Sequence, residues 1–177
     1  MRGRPPKGFR IPTDRETALA FGEPVAVLRD APAEWVVTVG RQGVNGFVYR
    51  IDVGYHLPGG EPVATVSTVR SSPEHPQLPQ HLDPTEELHT FLANSDRPAE
   101  AVGRVPYLSR DARLGPLRIP VHVHHRQDCF GTRLPRFPHE TGCIVVTGLT
   151  AHWPVLSALV LREPADFPDT HLLDRQP

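Results

Sequence analysis

The sequence predicts an α+β domain, an antiparallel sheet of about six or seven strands with one or two helices packed against it. Three observations carry that expectation. Phe47, Tyr49, Ile51, Val53 and Tyr55 alternate without a miss against Val48, Arg50, Asp52, Gly54 and His56, the period of a strand with one buried face. Other short apolar stretches are bounded by glycine and proline turns. Only two segments carry the start signals of a helix, and the strand–helix alternation of a parallel sheet is absent.

In chain order, residues 1–12 read as a basic, proline-rich arm, 13–163 as one domain and 164–177 as a loosely held C-terminal tail. Thr13-Asp14-Arg15-Glu16 is a capping box, in which the threonine hydroxyl accepts from the third helical amide and the glutamate reaches back. It predicts a helix over 14–21 that stops at Gly22. Strands are expected at 25–30 and 34–41, the second with Trp35, Val37 and Val39 on one face. Residues 42–46 turn a hairpin into the alternating strand at 47–56, and Pro58-Gly59-Gly60 turns again into a strand at 62–71.

Residues 72–83 hold three prolines, so no regular element is expected there. Asp83-Pro84-Thr85-Glu86 then starts a helix over 84–95, with an acidic N-cap and proline at the first helical position. Leu88, Phe91 and Leu92 give it an apolar stripe. Residues 96–116 read as an irregular crossing. The run at 117–127 alternates again, but Pro120 within it predicts an edge or bulged strand. A loop over 128–141 and a strand over 142–149 follow; 155–163 fits either helix or strand, and strand is preferred.

Composition narrows the class. Apolar residues make up 38% of the chain, and 21 prolines with 14 glycines imply many rigid connections without reaching the range of disordered sequences. A formal charge of −1 argues against a general polyanion binder. Lys7 is the only lysine, so arginine abundance reflects G/C-rich codons, as in a high-GC bacterial genome, more simply than phosphate recognition. No apolar run is long enough to span a bilayer, and no apolar stretch follows the basic N-terminus, so neither membrane insertion nor a signal peptide is expected. With Cys129 and Cys143 expected as reduced thiols, the reading is a cytoplasmic protein.

His122-Val123-His124-His125 is the stretch richest in chemistry. In an extended strand, His122 and His124 project from one face, together with Arg118 and Arg126. The same alternation makes Arg50, Asp52 and His56 the polar face of the strand at 47–56. If both strands share a sheet, one surface gathers these groups for an anion or a partner, with Arg133 and Arg136 on the following loop. For a metal, the candidates are His122, His124, Cys129 and His139, with Cys143 near by; imidazole and thiolate suit zinc or iron. The alternative is a set of solvated strand-face histidines. Gly115, His122, His124 and Asp128 resemble the first metal motif of the cupin family. The glycine spacing is longer, aspartate stands where glutamate is usual and no second motif follows, so no family assignment is made.

Cys129 lies near several histidines and is also a candidate nucleophile, against the plainer role of a small buried residue. No serine elbow, phosphate-binding glycine loop or metalloprotease helix motif is present, so enzymatic activity is left open. Arg2-Gly3-Arg4-Pro5 matches the core of an AT-hook, whose extended arginines enter a narrow A·T minor groove. The leading expectation is a small binding or interaction domain with a protein partner, using the polar sheet face and the 128–141 loop. A metal-dependent protein centred on His122 and His124 ranks second, and a DNA-associated protein using the arm third.

Overall fold

The computed structural model describes residues 10–94, 108–114, 117–125, 129–135, 142–156 and 158–171. The capping box forms as expected. Thr13 Oγ1 accepts the Glu16 N–H at 3.2 Å, and the Glu16 carboxylate accepts the Thr13 N–H at 2.9 Å. It opens α1 (Asp14–Phe21), which Gly22 closes with a left-handed φ of 76°. The chain continues through β1 (Val25–Leu28), β2 (Val36–Val44), β3 (Phe47–His56) and β4 (Pro62–Arg70). Asn45 and Gly46 connect β2 and β3 with φ of 51° and 80°, the two positive values that a tight right-twisted hairpin needs.

Next come α2 (Leu78–His81), α3 (Pro84–Asn94), β5 (Leu108–Leu114), β6 (Leu117–His125), β7 (Cys129–Pro135) and β8 (Gly142–Leu149). A short 3-10 turn leads into α4 (Trp153–Leu156) and β9 (Ala158–Arg162). The strands form one sheet in the order β1-β9-β5-β6-β7-β8-β4-β3-β2. All its pairings are antiparallel except β5 with β9, which is parallel. The α+β class and the antiparallel sheet are those the sequence predicts, and every expected strand is present.

Six local expectations are corrected. The crossing expected at 96–116 contains β5, and the loop expected at 128–141 contains β7. Within 72–83, one helical turn forms as α2, because Pro79 sits in its first turn, where a missing N–H breaks no helical bond. Pro120 does not place β6 at the sheet edge, since β6 lies between β5 and β7. However, β7 pairs with β6 only over His122–His125, so at Pro120 the strand is paired on one side, opposite Asp111. The segment after Pro164 is not loose as far as Thr170. Phe167 is fully buried, and the carbonyls of Pro168 and Thr170 accept the N–H groups of Arg15 and Asp14. These are first-turn amides of α1 that have no partner within the helix. The ambiguous stretch at 155–163 divides: α4 ends at Leu156 and the strand is β9.

The sheet buries both faces unequally. On one, Ile51, Val53, Tyr55, Val66, Ile144 and Val146 pack with Phe21 of α1 and with β1, which folds back over β3 and β4. The Ala26 N–H donates to Thr68 Oγ1, and the Leu28 N–H to the Tyr55 hydroxyl, each at 2.9 Å. On the other face, Leu88, Phe91 and Leu92 of α3 pack with Cys129 and Leu149, while Leu78 and Leu82 cover Val69, Cys143 and Val145. The helices cover this face over β7, β8 and β4 and leave its β2–β3 end open. No helix among the described residues is long and apolar enough to cross a membrane.

Candidate functional site

The open end of the second face is a groove of about 370 Å³. Its floor and walls come from alternate residues of three neighbouring strands: Thr38, Gly40 and Gln42 of β2, Arg50, Asp52, Gly54 and His56 of β3, and Thr65 of β4. Register explains why they meet, because Gly40 pairs with Asp52, Gln42 with Arg50, and Gly54 with Thr65. Directly opposed residues share a sheet face. Glu87, Thr90 and Phe91 of α3 close one end.

Arg50 organises the groove. Its Nη1 and Nη2 donate to Glu87 Oε1 and Oε2 at 2.8 and 2.6 Å, a bidentate pair linking α3 to the sheet. Its Nε donates to Asp52 Oδ1 at 2.6 Å, and Nη2 also to Ser67 Oγ at 3.0 Å. The Ser67 hydroxyl donates in turn to Asp52 Oδ1 at 2.5 Å. The side chains of Arg50, Asp52 and Glu87 are 12%, 25% and 18% exposed, so the network is shielded but in contact with solvent. Burial alone would lower the Arg50 pKa. Hydrogen bonding to Glu87 and the charges of Asp52 and Glu87 outweigh burial and raise it, so the guanidinium stays charged.

Asp52 is only half used by this network. Its Oδ2 receives a single long contact from Gln42 Nε2, at 3.4 Å, and Asp52 lines the open groove. With His56 neutral, the charges of Arg50, Asp52 and Glu87 leave the groove one unit negative. Burial lowers the pKa of His56, against a hydrogen bond with the Gly60 backbone that raises it, and so favours the neutral ring. Its Nε2 lies 3.3 Å from Thr38 Oγ1. Gly54 makes this approach feasible, since a Cβ there would stand 2.6 Å from Thr38 Oγ1 and 3.0 Å from His56 Nε2.

Of the residues singled out from sequence, Arg50, Asp52 and His56 therefore line one groove. Arg133 on β7 lies against the Cys143 thiol, whose pKa is pushed up to about 11 by burial despite that neighbour. Arg118, His122 and His124 are on β6, where His122 is in register with Arg133 and His124 with Gly131. Strand alternation puts these positions on the same sheet face as the groove. They are not adjacent to it, because α3 lies between: a Cβ on Gly131 would come within 2.5 Å of the Pro84 carbonyl oxygen.

Cys129 is fully buried beneath α3 and pairs with Leu149 at one end of the β7–β8 hairpin; Cys143 pairs with Pro135 at the other. The two cysteines do not converge. Arg126, Arg136, His139 and Asp128 lie outside the described residues, as do Gly115 and the arm residues Arg2, Gly3, Arg4 and Pro5. Among the described residues no group of three or more histidine, cysteine or acidic side chains is arranged to hold a metal ion.

Sequence reasoning missed Ser67, Gln42, Thr38 and above all Glu87. Glu87 stands in a first turn that also holds Glu86, where an acid needs no partner beyond the helix dipole. Its spacing was informative, because it lies four residues before Phe91, on the flank of the buried stripe. A larger cavity, of about 460 Å³, opens on the opposite face, lined by Trp35, Val37, Tyr55 and Phe167 together with Asp14, Glu34 and Arg162. The smaller groove is distinguished by its ion-pair network. Compared with known proteins, the chain matches no family model, no curated protein and no solved structure.

Proposed function

We propose that the chain is a small binding domain whose site is the polar groove over β2 and β3, taking a ligand that presents a cationic hydrogen-bond donor to Asp52. The observation that supports this reading most directly is the asymmetry of Asp52. One carboxylate oxygen is held by Arg50 and Ser67, and the other has one long contact, from Gln42, in a residue that lines the groove. A carboxylate fixed through one oxygen loses little freedom when the other accepts a ligand, which is the advantage of preorganisation. Hydroxyls of Thr38, Thr65, Thr90 and Thr147 around it supply neutral hydrogen-bonding groups.

Small charged probes test the reading. Ethylguanidinium and propionate are titrated into the labelled protein while backbone amides are followed by NMR. The cation is expected to shift the amides of Gly40 and Gly54 with millimolar affinity, and propionate to leave them in place. Gln42→Lys, which sets an ammonium beside Oδ2 from an exposed position, should abolish the response without loss of fold. Equal responses to both ions, or none to either, would overturn the proposal.

A further inference from the structure

Strand β2 ends the sheet, and among the described residues no strand pairs with its outer side. An edge of this length presents a row of backbone donors and acceptors that sheets commonly blunt with charge or proline. Here residues 38–44 contain one charge, Arg41, and no proline, and residues 40–43 are exposed. A bulge between Gln42 and Gly43 is the main interruption, and it lies close to the turn. The residues of β2 that face the groove are Thr38, Gly40 and Gln42, the alternate set. The groove therefore runs out to the open edge with the spacing of side chains on a strand.

We infer that the ligand is an extended segment of a partner protein that adds to β2 as a further strand and inserts a basic side chain into the groove. This rests on the groove being the binding site. Register supplies the route. Asp52 is directly opposite Gly40, and a Cβ at Gly40 would meet nothing within 4 Å. A side chain on an added strand, opposite Gly40, would pass over the bare glycine toward Asp52 Oδ2. It would cross roughly two strand spacings, about 9–10 Å, which favours a long side chain with its charge at the tip. The groove's net negative charge selects arginine or lysine over an acidic residue. Backbone pairing would supply affinity that tolerates sequence, and the pocket beyond Gly40 the selectivity, as in other cases of strand addition.

The test compares two N-acetylated decapeptides, one alternating threonine with arginine and the other the same sequence with every backbone nitrogen methylated. Both carry the same charge, but the second has no backbone N–H donors and cannot pair along an edge. The unmethylated peptide is expected to bind at least tenfold more tightly and to slow hydrogen exchange at amides within 38–44. Gly40→Val, a substitution into open space, should weaken that peptide about tenfold. Equal binding of the two peptides without exchange protection would overturn strand addition. So would failure of both peptides with ethylguanidinium still bound, and in either case the groove would stand as the site. Loss of peptides and ethylguanidinium together would remove the site itself.

Discussion

At the scale of single residues, the groove shows why a buried ion pair is better read as a positioning device than as a source of stability. Desolvating Arg50 and Glu87 offsets much of their attraction, and such pairs can often be replaced by apolar residues at no loss. What an apolar pair could not do is hold Asp52 by one oxygen. His56 gives this scale its prediction. Burial lowers its pKa, so the unfolded chain binds a proton more readily than the folded one. Stability from this group is fully present above the ordinary histidine value of about 6.5 and is lost as pH falls through the lowered folded value. Thermal melts at pH 7.5 and 5.5 should therefore show a larger drop for the native chain than for His56→Gln, and equal drops would remove this role. The polar identities of Arg50, Asp52 and His56 were legible because a strand's period is two. Glu87 was not, because its partner lies on an element separated from it by 37 residues of chain.

Elements were legible to the degree that they carry their own burial pattern. The strand at β3 does, and so do α1 with its capping box and α3 with its stripe. β7 alternates Phe130, Thr132 and Leu134 into the core, but over only seven residues ending at Pro135. β5, with the sequence LSRDARL, offers no apolar alternation and is ordered as a strand by pairing with β6 and β9. The packing of α3 was also beyond local pattern, and it decides the layout of the site. It divides the sheet face that was expected to unite histidines and arginines. That packing depends on Gly131, whose missing side chain admits the Pro84 carbonyl. Gly131→Ala should force the helix outward and cost about 1–3 kcal/mol, the usual penalty for overpacking. Gly40→Ala on an open part of the same sheet should be neutral or slightly stabilising, since it lacks that clash and loses the entropic penalty of glycine. Urea unfolding of the two variants provides the comparison, and equal midpoints would mean that α3 adjusts freely.

For the whole molecule, the sheet order was the least legible property, since nothing local to β1 or β9 says that they pair or that β1 folds back over β4. The fold-back determines what the C-terminal segment must do. Phe167 joins a core built from α1, β1 and β3, and the carbonyls beyond it complete the first turn of α1. The two ends of the described chain are thereby packed together, although the later part was expected to be a loosely held tail. Phe167→Ala removes a fully buried ring and should cost about 3–5 kcal/mol, which for a chain of this size lowers Tm by roughly 6–20 °C. Leu19→Ala on the exposed side of α1, where the leucine is 53% exposed, should change stability by no more than about 0.5 kcal/mol. A single unfolding transition that moves as a whole in the first variant, and hardly at all in the second, is the expected calorimetric result. If Phe167→Ala melted like the native chain, the segment would be a dispensable strap. The first turn of α1 would then have to be satisfied by water, and the fold-back of β1 would have to hold without it.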